Sequence, residues 1–396
     1  MVKFQRVLLF SLLFGTMVIF GIVENIKGVS YPLIKTEFNA SWEQQGLMVS
    51  ILSLSYVIFC IIAGLFLGRF GIKPSFLSGL GAISVGLFAI FFSPGFLSAA
   101  VCLFVIFAGF GFLEIGINAL ASSVFTANSA LFMNLLHAFY GIGAIIGPKA
   151  AGILTNNAGF NWRLVYLLSM PLVFLSFIFS IFLKIPGESK TGNVEKRVTF
   201  FDALGRRDVW LMAVILGLGI AVEMSSPNWG ALYFQDMYGI DPRTGGAAFL
   251  SMFFIFFTVS RLVSGMFVER IGYARSLIGI TAVIFVIFIA GFCLGERGIY
   301  VLPALGFFIG PFWPTVMAIG IRHFGNDAPV MASAMIAIGG ALNSIIQFLV
   351  GLTNRFLGPA WGYRSSAIYI LICFVLLLVL SKKLQKHENT SVYRRK

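Results

Sequence analysis

The chain has 396 residues, of which 59% are hydrophobic and 11% charged, with a net charge of +13 and a mean hydropathy of +0.95. Soluble domains carry about 25% charged residues because their surface must face water. This composition therefore excludes a cytosolic enzyme, a secreted disulfide scaffold and a disordered tail, and it makes lipid the solvent for most of the chain.

A membrane-crossing helix needs about 20 mostly apolar residues, and at roughly 33 residues per helix and loop the length predicts about twelve of them. Apolar runs bounded by Gly, Pro and charges place the first six at 7–34, 45–68, 75–94, 97–124, 130–154 and 163–184. The other six fall at 209–235, 245–268, 274–294, 299–322, 329–354 and 364–381. The first apolar run, Val7–Val23, has no small-residue cleavage site and reads as a retained span rather than a signal peptide. The polar segment 185–208 is a linker between an N-terminal six-helix bundle, 1–184, and a C-terminal one, 209–396, with a basic tail. The expected fold is an all-α membrane protein with twelve transmembrane helices in two pseudo-symmetric six-helix bundles. Cys60, Cys102, Cys293 and Cys373 lie far apart in apolar runs, with neither metal nor disulfide spacing.

The two halves look like diverged copies. GIVE at Gly21–Glu24 returns as IAVE at Ile220–Glu223, and GLFLGRFGIKPSF at Gly64–Phe76 returns as GMFVERIGYARSL at Gly265–Leu277. GILTN at Gly152–Asn156 returns as GLTN at Gly351–Asn354, followed by Trp162 and Arg163 in one copy and Trp361 and Arg364 in the other. Three matches in one order at nearly one offset indicate duplication of a six-helix unit, a hallmark of secondary transporters. Orientation follows from the cations. Arg69, Lys73, Arg270 and Arg275, the cations of the linker and those of the tail share one side, opposite Lys35, Arg163, Arg243, Arg297, Arg355 and Arg364. This asymmetry predicts both termini in the cytoplasm and a multi-pass protein of the cell (inner) membrane. The +13 is mainly an orientation signal, and the tail is an anchor near anionic lipid rather than a nucleic-acid arm.

The paired loops resemble the loop motif of the major facilitator superfamily, Gly-x-x-x-Asp-Arg-x-Gly-Arg-Arg. Gly64, Arg69, Gly71 and Lys73 match in the first copy, where Gly68 replaces the Asp; Gly265, Glu269, Arg270, Gly272 and Arg275 match in the second. The resemblance implies alternating access between two bundles, spans 1, 4, 7 and 10 lining a cavity, and a gating or structural role for Arg69, Gly71, Glu269 and Arg270. More narrowly, LEIGINAL (Leu113–Leu120), NLLHAFYGIGAIIGP (Asn134–Pro148) and PFWPTVMAIGIRHFG (Pro311–Gly325) resemble the fucose–proton symporter branch. That likeness implies sugar uptake with protons, with Glu114 at the position of the span-4 coupling acid. The branch's span-1 Asp falls on Gly28, beside Glu24 and Lys27. A competing likeness is GAIIGPKAAG (Gly143–Gly152), which is similar to a span-5 motif of drug–proton antiporters.

An ionisable group at bilayer depth needs a partner, water or a function. Glu24, Glu114 and Glu223 are the acids deep in spans, and burial in a low dielectric disfavours a fixed negative charge, so each is a candidate proton carrier or a partner in an ion pair. Glu24 and Lys27 are spaced to neutralise one another, in which case Glu24 is a poor carrier. Lys27 and Lys149 alternatively present charge to an anionic solute, while Lys149 also has the reach to snorkel or to pair across helices. Arg261, near the end of span 8, reads as structural or gating. Candidate solute contacts are Asn25, Lys27, Asn118, Asn134, His137, Asn228, Trp229, Trp313, Asn343 and Gln347. Asn118 lies one turn after Glu114, Asn134 and His137 share a face, and Asn343 and Gln347 form a stripe. Each also has a bland reading as an interhelical hydrogen bond, or for Trp229 as part of an interfacial aromatic belt. Pro227 and Gly230 predict a break in span 7 next to Glu223.

The expected function is proton-coupled symport of a small polar solute, most simply a sugar or sugar derivative, by alternating access. The alternative is proton-coupled drug or metabolite efflux; a non-transporting receptor and a lipid flippase are further readings. No catalytic constellation and no Gly-Lys-Ser/Thr phosphate loop is present, so an enzyme and direct use of ATP are not expected. No cofactor or metal is expected, the driving force being an ion gradient. The partners expected are a small-molecule substrate and membrane lipid, with the chain a monomer.

Overall fold

The computed structural model describes residues 3–125, 129–185 and 199–393. The described residues form helices and no strand. Twelve are long and apolar enough to cross a membrane, one for each predicted span. They are α1 (Phe4–Glu37), α2 (Trp42–Phe70), α3 (Ile72–Phe91), α4 (Phe96–Val124), α5 (Ser129–Asn156) and α6 (Trp162–Phe182) in the first half. The second half has α7 (Arg207–Tyr238), α8 (Pro242–Ile271), α9 (Tyr273–Cys293), α10 (Gly295–Phe324), α11 (Ala328–Leu357) and α12 (Pro359–Gln385). Of the linker, 186–198 lies outside the described residues; its end forms the short helix Phe200–Leu204, capped by Thr199 and Asp202.

Local chemistry sets the ends of these helices. Ser41 opens α2 with a capping box: its backbone N–H donates to Gln44 Oε1 at 2.8 Å, and Gln44 N–H donates to Ser41 Oγ at 3.2 Å. Gly71 and Gly272, the equivalent glycines of the repeated loop, turn the chain from α2 to α3 and from α8 to α9 at φ of 88° and 93°. A Cβ is strained at such angles, which is why the motif holds glycine there.

The duplication extends into the packing. Ser30 Oγ and Tyr166 Oη are 2.8 Å apart between α1 and α6, and Ser226 Oγ and Tyr363 Oη are 2.8 Å apart between α7 and α12. The opening helix of each half is irregular at the equivalent place. In α1 the regular hydrogen-bond pattern is interrupted at Ile26, six residues before Pro32. In α7 residues Ser226–Gly230 form a π-helical turn. The break predicted in span 7 is therefore not a break. A wide turn absorbs the donor that Pro227 lacks, and the helix continues to Tyr238.

The halves meet through α2 against α11 and α5 against α8. A Cβ on Gly46 would stand 2.8 Å from Gly351 Cα, and one on Gly340 would collide with Val57. A Cβ on Gly152 would collide with the Arg243 carbonyl oxygen, and Ser251 Oγ donates to the Ile145 carbonyl at 3.0 Å. Two ion pairs cross between the halves at this end: Lys35 with Asp236 at 3.7 Å, and Arg355 with Glu43. Toward the end that bears the termini these contacts stop. Gly64, Gly68 and Gly265 face open space, and Leu65 and Met266 are 75% and 60% exposed. The two bundles are thus closed at one end and open at the other. At the open end Arg206 and His323 each reach Asp208 at 3.0 Å, tying α7 to α10.

Candidate functional site

The irregular segments of α1 and α7 bring charge to the middle of the molecule. Lys27 Nζ donates to Glu24 Oε1 at 3.0 Å and lies 5.2 Å from the centre of the Phe107 ring of α4. Tyr140 of α5 donates its hydroxyl to Glu24 Oε2 at 2.7 Å and accepts from Asn25 Nδ2 at 3.3 Å. Both carboxylate oxygens of Glu24 are therefore occupied, one by a cation. Across the interface, Arg261 of α8 pairs with Glu223 of α7 at 3.8 Å, donates to the Gly310 carbonyl of α10 at 3.3 Å, and stacks on Phe257 at 4.3 Å.

Glu114 differs from the other two acids. Its Oε1 accepts from Asn118 Nδ2 at 2.9 Å, and among the described residues it has no ion pair. It lies within electrostatic reach of Glu24 and Arg261, as Glu223 does of Glu24 and Lys27. His137 faces Arg261, one turn toward the open end from Gly141, which packs on Thr258. The cluster thus holds three carboxyl groups against two cations, with an uncharged amide serving the third acid. A site of this kind can take up and release a proton, because protonating Glu114 strands no cation whereas protonating either paired acid would.

A second polar network lies in the C-terminal half. Gln347 Oε1 accepts from Trp229 Nε1 at 2.7 Å and from Asn228 Nδ2 at 3.2 Å, while its own Nε2 donates to Asn343 Oδ1 at 3.0 Å. All four side chains are buried, so Trp229 is a packed indole with its N–H satisfied and not a member of an interfacial belt. Among the described residues no hydrogen bond joins this network to the first. Trp313 is different, being 36% exposed although its neighbours Phe312, Thr315 and Val316 are buried. α10 packs against α7, α8, α9 and α11 and leaves Trp313 partly uncovered.

The remaining candidates sit elsewhere. The side chain of Asn134 lies outside the described residues. Lys149 is exposed on α5, in register with the exposed Ile142, Ile146 and Ile153, and among the described residues it joins none of the ion pairs of the cluster. Lys149→Gln is accordingly expected to leave transport within about twofold of the parent, checked by uptake into proteoliposomes. Arg69, Glu269 and Arg270 are exposed at the open end, and among the described residues none of them joins an ion pair.

Sequence reasoning passed over Tyr140 as a site residue, together with Tyr56 and Phe107. Tyr140 stands three residues after His137 on the same face, which was the available signal. Tyr56, within electrostatic reach of Glu114 and Glu24, carries none.

Comparison with known proteins agrees with this architecture. Residues 12–347 match the Major Facilitator Superfamily. The chain is 22% identical to the L-fucose-proton symporter of Escherichia coli (strain K12) over 412 residues, covering 94% of this chain and 92% of that protein. Among solved structures, the E. coli fucose:proton symporter FucP superposes with a TM-score of 0.66 at 18% identity, covering 95% of this chain and 99% of that one. The nucleoside transporter NupG superposes with a TM-score of 0.77 at 13% identity over the same shares.

Proposed function

Because the chain belongs to the Major Facilitator Superfamily, and is therefore a multi-pass membrane transporter and not an enzyme, we propose that it moves a small neutral polar solute together with a proton. A sugar or sugar derivative is the solute class this reading names, supported by the similarity to an L-fucose-proton symporter. The observation that carries the proposal is the central cluster, in which Glu24 and Glu223 each have a cation and Glu114 has only Asn118. Glu114 is the proton group. With both cations matched by carboxylates, no fixed charge is left to hold an anionic solute, and the surrounding groups suit hydroxyls. Asn118, His137 and Tyr140 offer hydrogen bonds, and Trp313 offers a ring face.

The asymmetric distribution of Lys and Arg supports a cytoplasmic side for both termini. The end closed by Lys35–Asp236 and Arg355–Glu43 is then the outer one, and the cluster faces inward. Alternating access in this reading consists of rocking the halves about α2–α11 and α5–α8 until the inner end closes.

Nothing in the site favours efflux. The glycines of the span-5 motif serve packing: Gly143 meets the Val18 carbonyl and Gly147 the Ile22 carbonyl of α1. Such contacts suit either direction of transport.

Proteoliposomes with an acidic exterior test the proposal. L-fucose, used as the first probe in a panel of neutral monosaccharides, is expected to accumulate only with the gradient. Uptake that ignores the gradient, or accumulation only when the gradient is reversed, would replace symport by facilitated diffusion or antiport. Trp313→Ala is expected to weaken sugar binding about tenfold, the loss of one ring contact of roughly 1.5 kcal/mol, read by tryptophan-independent calorimetry.

A further inference from the structure

We propose that Lys27 is a built-in counter-cation that keeps Glu24 in a neutral pair, so that Glu114 alone exchanges an external proton and one proton accompanies each solute. The inference rests on the proton-coupled reading above and adds the number of protons and the residue that sets it.

The argument is a balance of charges held in place by geometry. Glu24 Oε1 accepts from Lys27 at 3.0 Å and its Oε2 from Tyr140 at 2.7 Å, so both donors favour the ionised carboxylate over the protonated one. The Lys27 side chain is 4% exposed, so apart from the Phe107 ring its ammonium has Glu24 in place of water. Removing the charge from Glu24 would leave that ammonium buried and unpaired, an arrangement folded proteins avoid. Arg261 pairs with Glu223 more loosely, at 3.8 Å, and cannot itself lose its proton. The titratable groups within electrostatic reach of Glu24 on the packed helices include Tyr31, Tyr56, Tyr140, Glu114 and Glu223, and the other cation of the cluster, Arg261, pairs with Glu223. Lys27 is thus the one cation in an ion pair with Glu24 among the described residues.

Gly28 adds a second observation. A Cβ at this position would collide with the Leu250 side chain of α8 and stand 3.3 Å from the Pro227 carbonyl oxygen of α7. An acid has room at Gly28 only if Leu250 moves, whereas Glu24, one turn earlier, meets Lys27 of the same helix.

Infrared difference spectroscopy of the carboxyl C=O stretch, on the full chain in lipid vesicles titrated through neutral pH, reads the number of exchanging acids without a solute. One titrating protonated-carboxyl band is expected in the parent, lost in Glu114→Gln and kept in Glu24→Gln and Glu223→Gln. Lys27→Met is expected to raise the number from one to two, and adding Glu24→Gln to it should remove the second; Lys27→Arg should keep one. A parent band that disappears in Glu24→Gln overturns the inference, as does a folded Lys27→Met protein with no second band. Should Lys27→Met fail to fold, the Glu24→Gln and Lys27→Arg proteins decide the question. A parent with no band assignable to Glu114 would remove the proton-coupled reading itself, and the Lys27→Met arm would still report whether the pair silences Glu24.

Discussion

Glu114→Gln is expected to abolish acid-driven accumulation of L-fucose in proteoliposomes while leaving exchange of labelled for unlabelled sugar intact. A gradient of one pH unit supplies about 1.4 kcal/mol per proton, roughly a tenfold accumulation at one proton per solute. The variant should lose that factor and bring the sugar only to equal concentrations. The physical reason is local: glutamine keeps the shape of the side chain and its contact with Asn118 but has no proton to carry. A tenfold accumulation that survives the substitution would move the coupling role to another group. A loss of both accumulation and exchange would point to a folding or binding defect rather than to coupling.

Gly46→Leu is expected to drive the molecule out of the conformation described here. The α2–α11 contact has no room for a side chain, since a Cβ on Gly46 would stand 2.8 Å from Gly351 Cα and 3.2 Å from the Phe348 carbonyl oxygen. Overpacking of this kind costs about 1–3 kcal/mol, which corresponds to roughly a 5- to 150-fold shift between two conformations. The Lys35–Asp236 and Arg355–Glu43 pairs at the same end would separate with it. Spin labels on Asn157→Cys and Asp241→Cys, in a protein lacking its own cysteines, should report a longer distance in Gly46→Leu than in the parent. Identical distance distributions would mean that this contact does not hold the end shut.

Much of the site was legible because several of its contacts are local. Glu24 with Lys27, Glu114 with Asn118, and Asn343 with Gln347 are three or four residues apart on one helix, and helical spacing alone brings them together. The contacts that give the cluster its meaning are not local. Arg261 reaches Glu223 from a different helix, Tyr140 reaches Glu24 from 116 residues away, and Gln347 takes the Trp229 N–H from 118 residues away. Spacing could not say which acid would be left without a cation. Nor could it place Lys149, which shares a glycine-rich helix with His137 and Tyr140 but takes no part in the ion pairs of the cluster. At Pro227 the sequence carries the right residue for a disturbance in α7 but not its form, because a π turn and a break depend on what neighbouring helices can satisfy.

Composition and order of residues were enough to establish a membrane protein of twelve helices built from two related halves. In lipid every backbone polar group must be bonded within the protein, and a single apolar run of about 20 residues does this by itself as a helix. The repeated loops and GILTN-like segments carried the duplication without any coordinates. Packing decided the rest: which end is closed, which acid stands without a cation, and which aromatic rings are accessible. These depend on contacts between helices far apart in the chain, where a close approach such as that of Gly46 and Gly351 selects one arrangement of the two halves over another. Apolar length determines that a helix forms and crosses the membrane, whereas shape and charge between helices determine what it faces.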